Sequence, residues 1–249
     1  MMDTPRRPRI LVTRPAEDAA ATAEALLAKG YDPVLAPFLS IRFLDLPEPD
    51  LDGIQAVLVT SANGARALAR LSRERGVSVL TVGDASARES ARLGFRNVAS
   101  AAGDVAALAD LAMANCQPHG GPLLHVAGSR VAGDLAGFLE RRGFECRRLV
   151  LYEATVAAEL PSVARDALTA EPADGVLIHS PRTAATFAGL VRKARLTRGC
   201  ARMDAFCLSV AVAERIAELG WRGIHVADHP EEAALLRALD SVFFAGSKG

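Results

Sequence analysis

Short β-branched apolar runs alternate with stretches rich in Ala, Leu, Glu and Arg from one end of the chain to the other. Short apolar runs bounded by turn formers suit buried strands, and the stretches between them suit helices, so the pattern predicts βα units around parallel sheets. Strands are expected at Ile10–Thr13, Ala56–Thr60, Val77–Val82, Pro122–Val126, Gly175–His179, Ala205–Ser209 and Gly223–Ala227, each leading into a helix. Pro15 and Pro181 fall at strand-to-helix turns, where a first-turn proline forfeits no hydrogen bond. Two segments break the rhythm. Pro37–Phe43 and Arg147–Thr155 read as a pair of extended strands crossing between two domains, and Leu44–Asp52, with Pro47 and Pro49 among acidic residues, reads as a loop.

The pattern also repeats itself. Val57-Leu-Val-Thr-Ser-Ala-Asn-Gly-Ala-Arg-Ala-Leu68 matches Val176-Leu-Ile-His-Ser-Pro-Arg-Thr-Ala-Ala-Thr-Phe187, and the segment from Val82 to Val98 aligns without gaps onto Leu208 to Ile224 through a shared Leu-Gly-aromatic-Arg. A second repeat pairs Arg9–Val34 with Pro122–Arg147. The order along the chain is A, B, A′, B′. Gly30, Gly94, Gly143 and Gly220 close the helices of these repeats, where a left-handed residue is needed, and the aromatic after each is expected to fold back on the last turn.

Composition narrows the class. At 249 residues, half of them apolar, the chain can hold two packed domains. Lys plus Arg and Asp plus Glu balance at 29 each without a run of one sign, which argues against nucleic acid and anionic membrane as partners. The opening residues carry no signal-peptide pattern, and no window approaches the ~18 apolar residues of a membrane span. Cys116, Cys146, Cys200 and Cys207 form no C-x-x-C pair and read as reduced, buried small hydrophobes of a cytoplasmic protein.

Ligands of parallel sheets bind at the carboxyl ends of strands, where helix N-termini offer free N–H groups. Five such ends carry small or hydroxylated residues: Thr60-Ser61-Ala62-Asn63-Gly64, Gly83-Asp84-Ala85-Ser86, Ala127-Gly128-Ser129-Arg130, Ser180-Pro181-Arg182-Thr183 and Ser209. Each alone reads as a helix cap; together on one edge they suggest anion binding by backbone amides. No G-x-G-x-x-G and no G-x-x-x-x-G-K-[ST] occurs; Gly128 to Gly133 has the glycine spacing of the second without its lysine. His225 and His229 are four apart but straddle a loop, so a metal site is not expected, and no serine sits in a nucleophile elbow. Tyr152, one of two tyrosines, lies in the second crossing segment, where its phenol either assists a leaving hydroxyl or serves as an interface aromatic.

The succession Ile10-Leu-Val-Thr-Arg-Pro15, Val59-Thr-Ser-Ala-Asn63, Val82-Gly-Asp-Ala-Ser-Ala87, Val126-Ala-Gly-Ser-Arg130 through Leu139 and Gly143 to Tyr152, Ile178-His-Ser-Pro181 and Pro230-Glu-Glu-Ala-Ala-Leu-Leu236 resembles the uroporphyrinogen-III synthase family. The resemblance implies an internally duplicated α/β protein of two flavodoxin-like three-layer domains with parallel sheets, residues 1–37 with 155–249 and residues 44–147. A two-stranded linker, 38–43 and 148–154, would join them, with an active site in the interdomain cleft. It implies a cofactor-free lyase of haem and porphyrin biosynthesis that cyclises hydroxymethylbilane, a linear tetrapyrrole polycarboxylate, to uroporphyrinogen III; beside it, a monomer is expected. Water is lost and ring D is inverted through a spiro intermediate.

Carried over by position, Tyr152 matches the tyrosine that assists departure of the hydroxyl, and Thr60, Ser61 and Ser180 match polar residues lining the cleft. Arg14, Asn63, Gly83, Ser86, Gly128, Arg130, Arg182, Thr183 and Ser209 join them as substrate-binding candidates. Three departures stand out: His179 replaces a usual threonine, Ser86 replaces the threonine of G-x-x-T-A, and Ser209-Val-Ala-Val-Ala213 has lost its glycine and threonine. A cytosolic two-lobed small-molecule sensor, or an idle member of the family, would carry the same cleft without the chemistry.

Overall fold

The computed structural model describes residues 6–130 and 133–244. Val131 and Ala132, inside the Gly128–Gly133 spacing noted above, lie outside them, as do the first five residues of the chain. The chain opens with β1 (Arg9–Val12), α1 (Ala16–Ala28) and β2 (Asp32–Leu35), followed by β3 (Leu39–Phe43) and β4 (Ala56–Val59). Next come α2 (Ala62–Leu71), β5 (Ser78–Thr81), α3 (Asp84–Arg92), β6 (Asn97–Ser100), α4 (Val105–Asn115), β7 (Leu123–Gly128), α5 (Leu135–Glu140) and β8 (Cys146–Val156). The remainder is α6 (Ser162–Leu168), β9 (Gly175–Ile178), α7 (Pro181–Lys193), α8 (Thr197–Cys200), β10 (Asp204–Cys207), α9 (Val210–Glu214), β11 (Gly223–Val226) and α10 (Glu232–Phe243).

Two compact units result: the described parts of Met1–Ser40 with Thr155–Gly249, and Ile41–Ala154. In the first unit the strand order is β11-β10-β9-β1-β2, with every pair parallel. Strand residues alternate between two cores. Leu11, Val176, Ile178, Ala205 and Cys207 face α6 and α7 through Ala164, Leu168, Phe187 and Val191, while Ile10, Val12, Leu177 and Phe206 face α1 and α10 through Leu26, Leu235 and Leu239. A sheet covered on both faces has no room for polar alternation, which is why these strands read as unbroken apolar runs.

The second unit has the order β3-β8-β7-β4-β5-β6. The pairs among β4 to β8 are parallel. The β3–β8 pair runs in opposite senses, since Leu44 N–H donates to Leu151 C=O at 2.9 Å and Ala157 N–H to Phe38 C=O at 3.0 Å. Val57, Val59, Val79 and Val126 pack against α2, and Ala56, Leu58, Leu80 and Leu123 against α4 and α5.

Four helix ends follow the repeated glycine. Gly30, Gly94, Gly143 and Gly220 all have positive φ, between 71° and 92°. At the first three, the N–H of the following aromatic returns to the carbonyl five residues back (Tyr31 to Leu26, Phe95 to Ser90, Phe144 to Leu139), a Schellman closure. Two strands escaped the sequence pattern, β2 and β6. Both lie at sheet edges, are short, and are polar or interrupted by Pro33, so they carry little apolar signal. Thr60, His179 and Ser209, expected as last strand residues, stand one or two positions beyond their strands, in the turns. Cys200 and Cys207 are buried, with burial pushing both thiols up to about 12; Cys116 and Cys146 are only half-buried. Among the described residues no helix is long and apolar enough to cross a membrane.

Candidate functional site

In the second unit, the carboxyl ends of β4 and β7 meet the middle of β8 at several of the candidate residues. Ser61 has extended backbone and caps α2, its Oγ accepting from Gly64 N–H at 3.4 Å. The same Oγ is 2.7 Å from the Tyr152 hydroxyl. Tyr152 reaches that position through a β-bulge. The register runs Ala127↔Val150 and then Gly128↔Tyr152, so Leu151 is the extra residue of β8. Regular alternation would send Leu151 and Tyr152 to opposite faces, yet both pack in the core that α2 covers. The ring is only 9 % exposed. It lies over Gly128, where an added Cβ would stand 2.8 Å from Tyr152 Cε2 and 2.9 Å from Cζ. Ser129 N–H donates to Tyr152 C=O at 2.9 Å, and Arg148 Nη2 donates to the carbonyls of Gly128 (2.9 Å) and Ser129 (3.2 Å), fixing this turn.

His125 of β7 is buried, its Nε2 3.5 Å from Thr60 Oγ1. Burial, with the Arg148 guanidinium nearby, lowers its pKa to about 4 and keeps the imidazole neutral at ordinary pH. Between α2 and α3, part-buried, Asn63 Oδ1 accepts from Arg66 Nη1 at 3.0 Å, and Arg66 pairs with Glu89 at 2.7 Å. The hydrogen bond from Arg92 and the charge of Arg66 hold Glu89 down at about 2 against the opposing effect of burial.

In the first unit, Ser180 caps α7. Its Oγ accepts from Thr183 N–H at 3.1 Å and lies 2.9 Å from the Thr183 hydroxyl. Arg14, just past β1, is bonded to Glu232 at the start of α10 and to Thr22 Oγ1 at 3.3 Å, with Asp18 3.6 Å away. Between them sits His179, whose two ring nitrogens are buried without a hydrogen-bond partner. Nε2 is 3.7 Å from Glu232 Oε2. Burial, then the Arg14 charge, pushes the His179 pKa down to about 3. Among the described residues no three His, Cys, Asp or Glu side chains gather as a metal site would require.

The family model described as uroporphyrinogen-III synthase HemD matches residues 20–237. The chain belongs to the uroporphyrinogen-III synthase family. The family's enzymes work in haem biosynthesis on a tetrapyrrole. Among solved structures, a uroporphyrinogen-III synthetase from Helicobacter pylori aligns with a TM-score of 0.62 at 16% identity, covering 95% of this chain and 100% of that one. A mutant uroporphyrinogen III synthase from Thermus thermophilus gives 0.52 at 18%, covering 94% and 99%. At such identity the likeness is one of fold, a mixed α/β chain with parallel sheets. No curated protein sequence matches at a significant level.

With the family in place, the candidate residues sort by what holds them. The five strand ends do not share one edge: those after β4, β5 and β7 belong to one sheet, those after β9 and β10 to the other. Tyr152 touches both Ser61 and Gly128, while Thr60 Oγ1 lies 3.5 Å from His125 Nε2. Gly128, expected to offer its backbone to an anion, is instead small because the Tyr152 ring occupies the place of a side chain.

Ser86 and Thr183 are buried, at 6 % and 3 %, so their hydroxyls are not open donors. Arg14 and Asn63 are engaged by Glu232 and Arg66. Gly83 has an ordinary extended φ of −157° and open space where a Cβ would go. Ser209 occupies the cap position of α9 without a capping bond, and Arg130 is exposed. Arg182 lies in the first turn of α7. His125 and Glu232 were not singled out from the sequence. His125 lay hidden in an apolar strand; the Pro230–Leu236 stretch flagged the neighbourhood of Glu232 without its partner.

Proposed function

We propose that this chain is a lyase that converts hydroxymethylbilane to uroporphyrinogen III with loss of water and inversion of ring D, as a cofactor-free cytosolic monomer. The observation that carries the reading is the Ser61–Tyr152 hydrogen bond of 2.7 Å, held between the turn after β4 and the middle of β8 in a chain of this family. A phenol is neutral at ordinary pH and can give its proton to the departing hydroxyl as the C–O bond breaks. Ser61 Oγ–H then donates to the developing phenolate, and the proton released when the pyrrole nitrogen of the azafulvenium ion becomes neutral restores the phenol. Attack by the substituted carbon of ring D gives the spiro intermediate, which fragments and recloses. The linear substrate also closes unaided to the type I isomer, so the protein's main task is to hold it in the geometry of the spiro route.

In this reading Gly128 serves by making room for the Tyr152 ring, while binding falls to main-chain N–H groups at helix starts near Thr60, Ser61, Asn63, Gly83, Ser86 and Ser209. On the α7 side, Ser180 and Thr183 with Arg182 serve the same purpose, and Arg130 and Arg14 supply charge. We further infer a duplicated, flavodoxin-like architecture, with domains at 1–37 plus 155–249 and 44–147 and linkers at 38–43 and 148–154. The orders β2-β1-β9-β10-β11 and β8-β7-β4-β5-β6 support it, because each puts an A repeat (β1–β2 or β7–β8) beside a B repeat in the same sequence. The deciding measurement generates hydroxymethylbilane in situ, adds the protein, oxidises the products and separates the isomers. Type III in excess is expected; type I alone overturns the assignment and leaves a binding protein or an idle member of the family.

A further inference from the structure

A buried imidazole with neither nitrogen bonded is rare in folded proteins, and leaving such groups unpaired is costly. His179 is in that state while a carboxylate stands 3.7 Å from its Nε2. Neutral His179 could donate to Glu232 without taking up a proton. What prevents it is competition: Glu232 Oε2 is held by Arg14 Nη1 and Glu232 Oε1 by the Thr22 hydroxyl. Arg14, the charged candidate at the end of β1, is thereby neutralised by the protein's own side chain. We propose that Arg14 is an anion-binding residue kept in reserve, and that a ligand carboxylate takes its guanidinium while Glu232 passes to His179.

The exchange conserves pairing. One carboxylate replaces another on Arg14, so the only charge needing a new partner is that of Glu232, whose side chain is 33 % exposed. Stranding it would be unfavourable. His179 supplies a donor that has no other use, and this removes the penalty of opening the clasp. The charged groups facing His179 are Arg14 after β1 and Glu232 on α10, with Asp18 of α1 behind Arg14. With Arg14 withdrawn toward a ligand, the positive charge that disfavours protonation recedes and Glu232 turns to the ring, so the imidazole becomes more basic on binding.

The inference rests on the reading that the ligand is a tetrapyrrole polycarboxylate, and its test separates the two. Anaerobic titration with uroporphyrinogen III should give a Kd ~3–10-fold lower for Glu232→Gln than for the parent chain, and ~10-fold higher for Arg14→Gln, the scale of one charge-assisted contact. In the double variant the gain from Glu232→Gln should vanish. Unchanged or weaker binding by Glu232→Gln overturns the proposal. A ligand-free measurement covers the case in which that variant folds poorly or the functional reading itself fails the isomer assay. The His179 ring resonance, assigned with His179→Phe, should remain neutral down to about pH 4 in the parent chain and titrate at a higher pH in Arg14→Gln, where Glu232 is free to pair with the ring while burial persists. An unmoved titration in Arg14→Gln overturns the clasp whatever the ligand.

Discussion

In the proposed reaction Tyr152 gives the proton, and its surroundings set how that is tested. Among the described residues its hydroxyl is bonded to Ser61, and its ring lies tight against Gly128. Tyr152→Phe keeps the ring and removes only the proton, so turnover should fall by ~10–100-fold, within the lower range of general-acid contributions. The share of type I isomer should rise in step, because unassisted closure continues. Parent-level turnover and type III excess in the variant would return Tyr152 to the role of a core aromatic with a satisfied hydroxyl. The other candidates teach the complementary lesson. A hydroxyl at the start of a helix is first a cap, and Ser180 with Thr183 serves α7 before it serves any ligand. An arginine in a turn is first a partner for the nearest acid, as Arg14 is for Glu232. Residue type and position were legible from the sequence; occupation by a neighbour was not, since Glu232 stands 218 residues from Arg14 along the chain.

At the scale of elements, α2 is the piece that fixes the candidate site, because its first residues follow Ser61 directly. It docks so closely that a Cβ on Gly64 would lie 3.1 Å from the carbonyl oxygen of Val126. Gly64→Ala would gain helix propensity of ~1 kcal/mol, yet it must push α2 away from β7. A net loss of ~1–2 kcal/mol in urea unfolding is expected, within the range for overpacked cores, together with a lower type III yield as Ser61 shifts. A more stable variant would mean that the helix has slack. The strands and helices that could be read in advance are those buried on both faces, whose apolar runs are local facts. So were the closing glycines, because a left-handed residue is a requirement of a single position. The edge strands β2 and β6 were missed for want of an apolar signal. The bulge at Leu151 was invisible for a different reason: it exists only in the pairing of β8 with β7, and no feature of Leu149-Val-Leu-Tyr152 alone announces it.

At the scale of the whole chain, the second unit is one continuous stretch, Ile41–Ala154, and the first is assembled from both ends. A fragment of residues 41–154 retains both of its cores and should unfold cooperatively in urea. A fragment of residues 155–249 lacks β1, the strand between β9 and β2, along with the α1 side of one core, and should show no cooperative transition. A cooperative transition in the second fragment would mean that three strands and their helices suffice. The same connectivity has a consequence in time. Ile10 pairs with Gly175, which emerges from the ribosome 165 residues later. At ~5–20 residues per second the opening strand and its helix wait roughly 8–33 s for their sheet. During that interval the intervening segment can finish folding, while the apolar Ile10-Leu-Val run stays without its β9 partner, open to wrong pairings until that strand arrives.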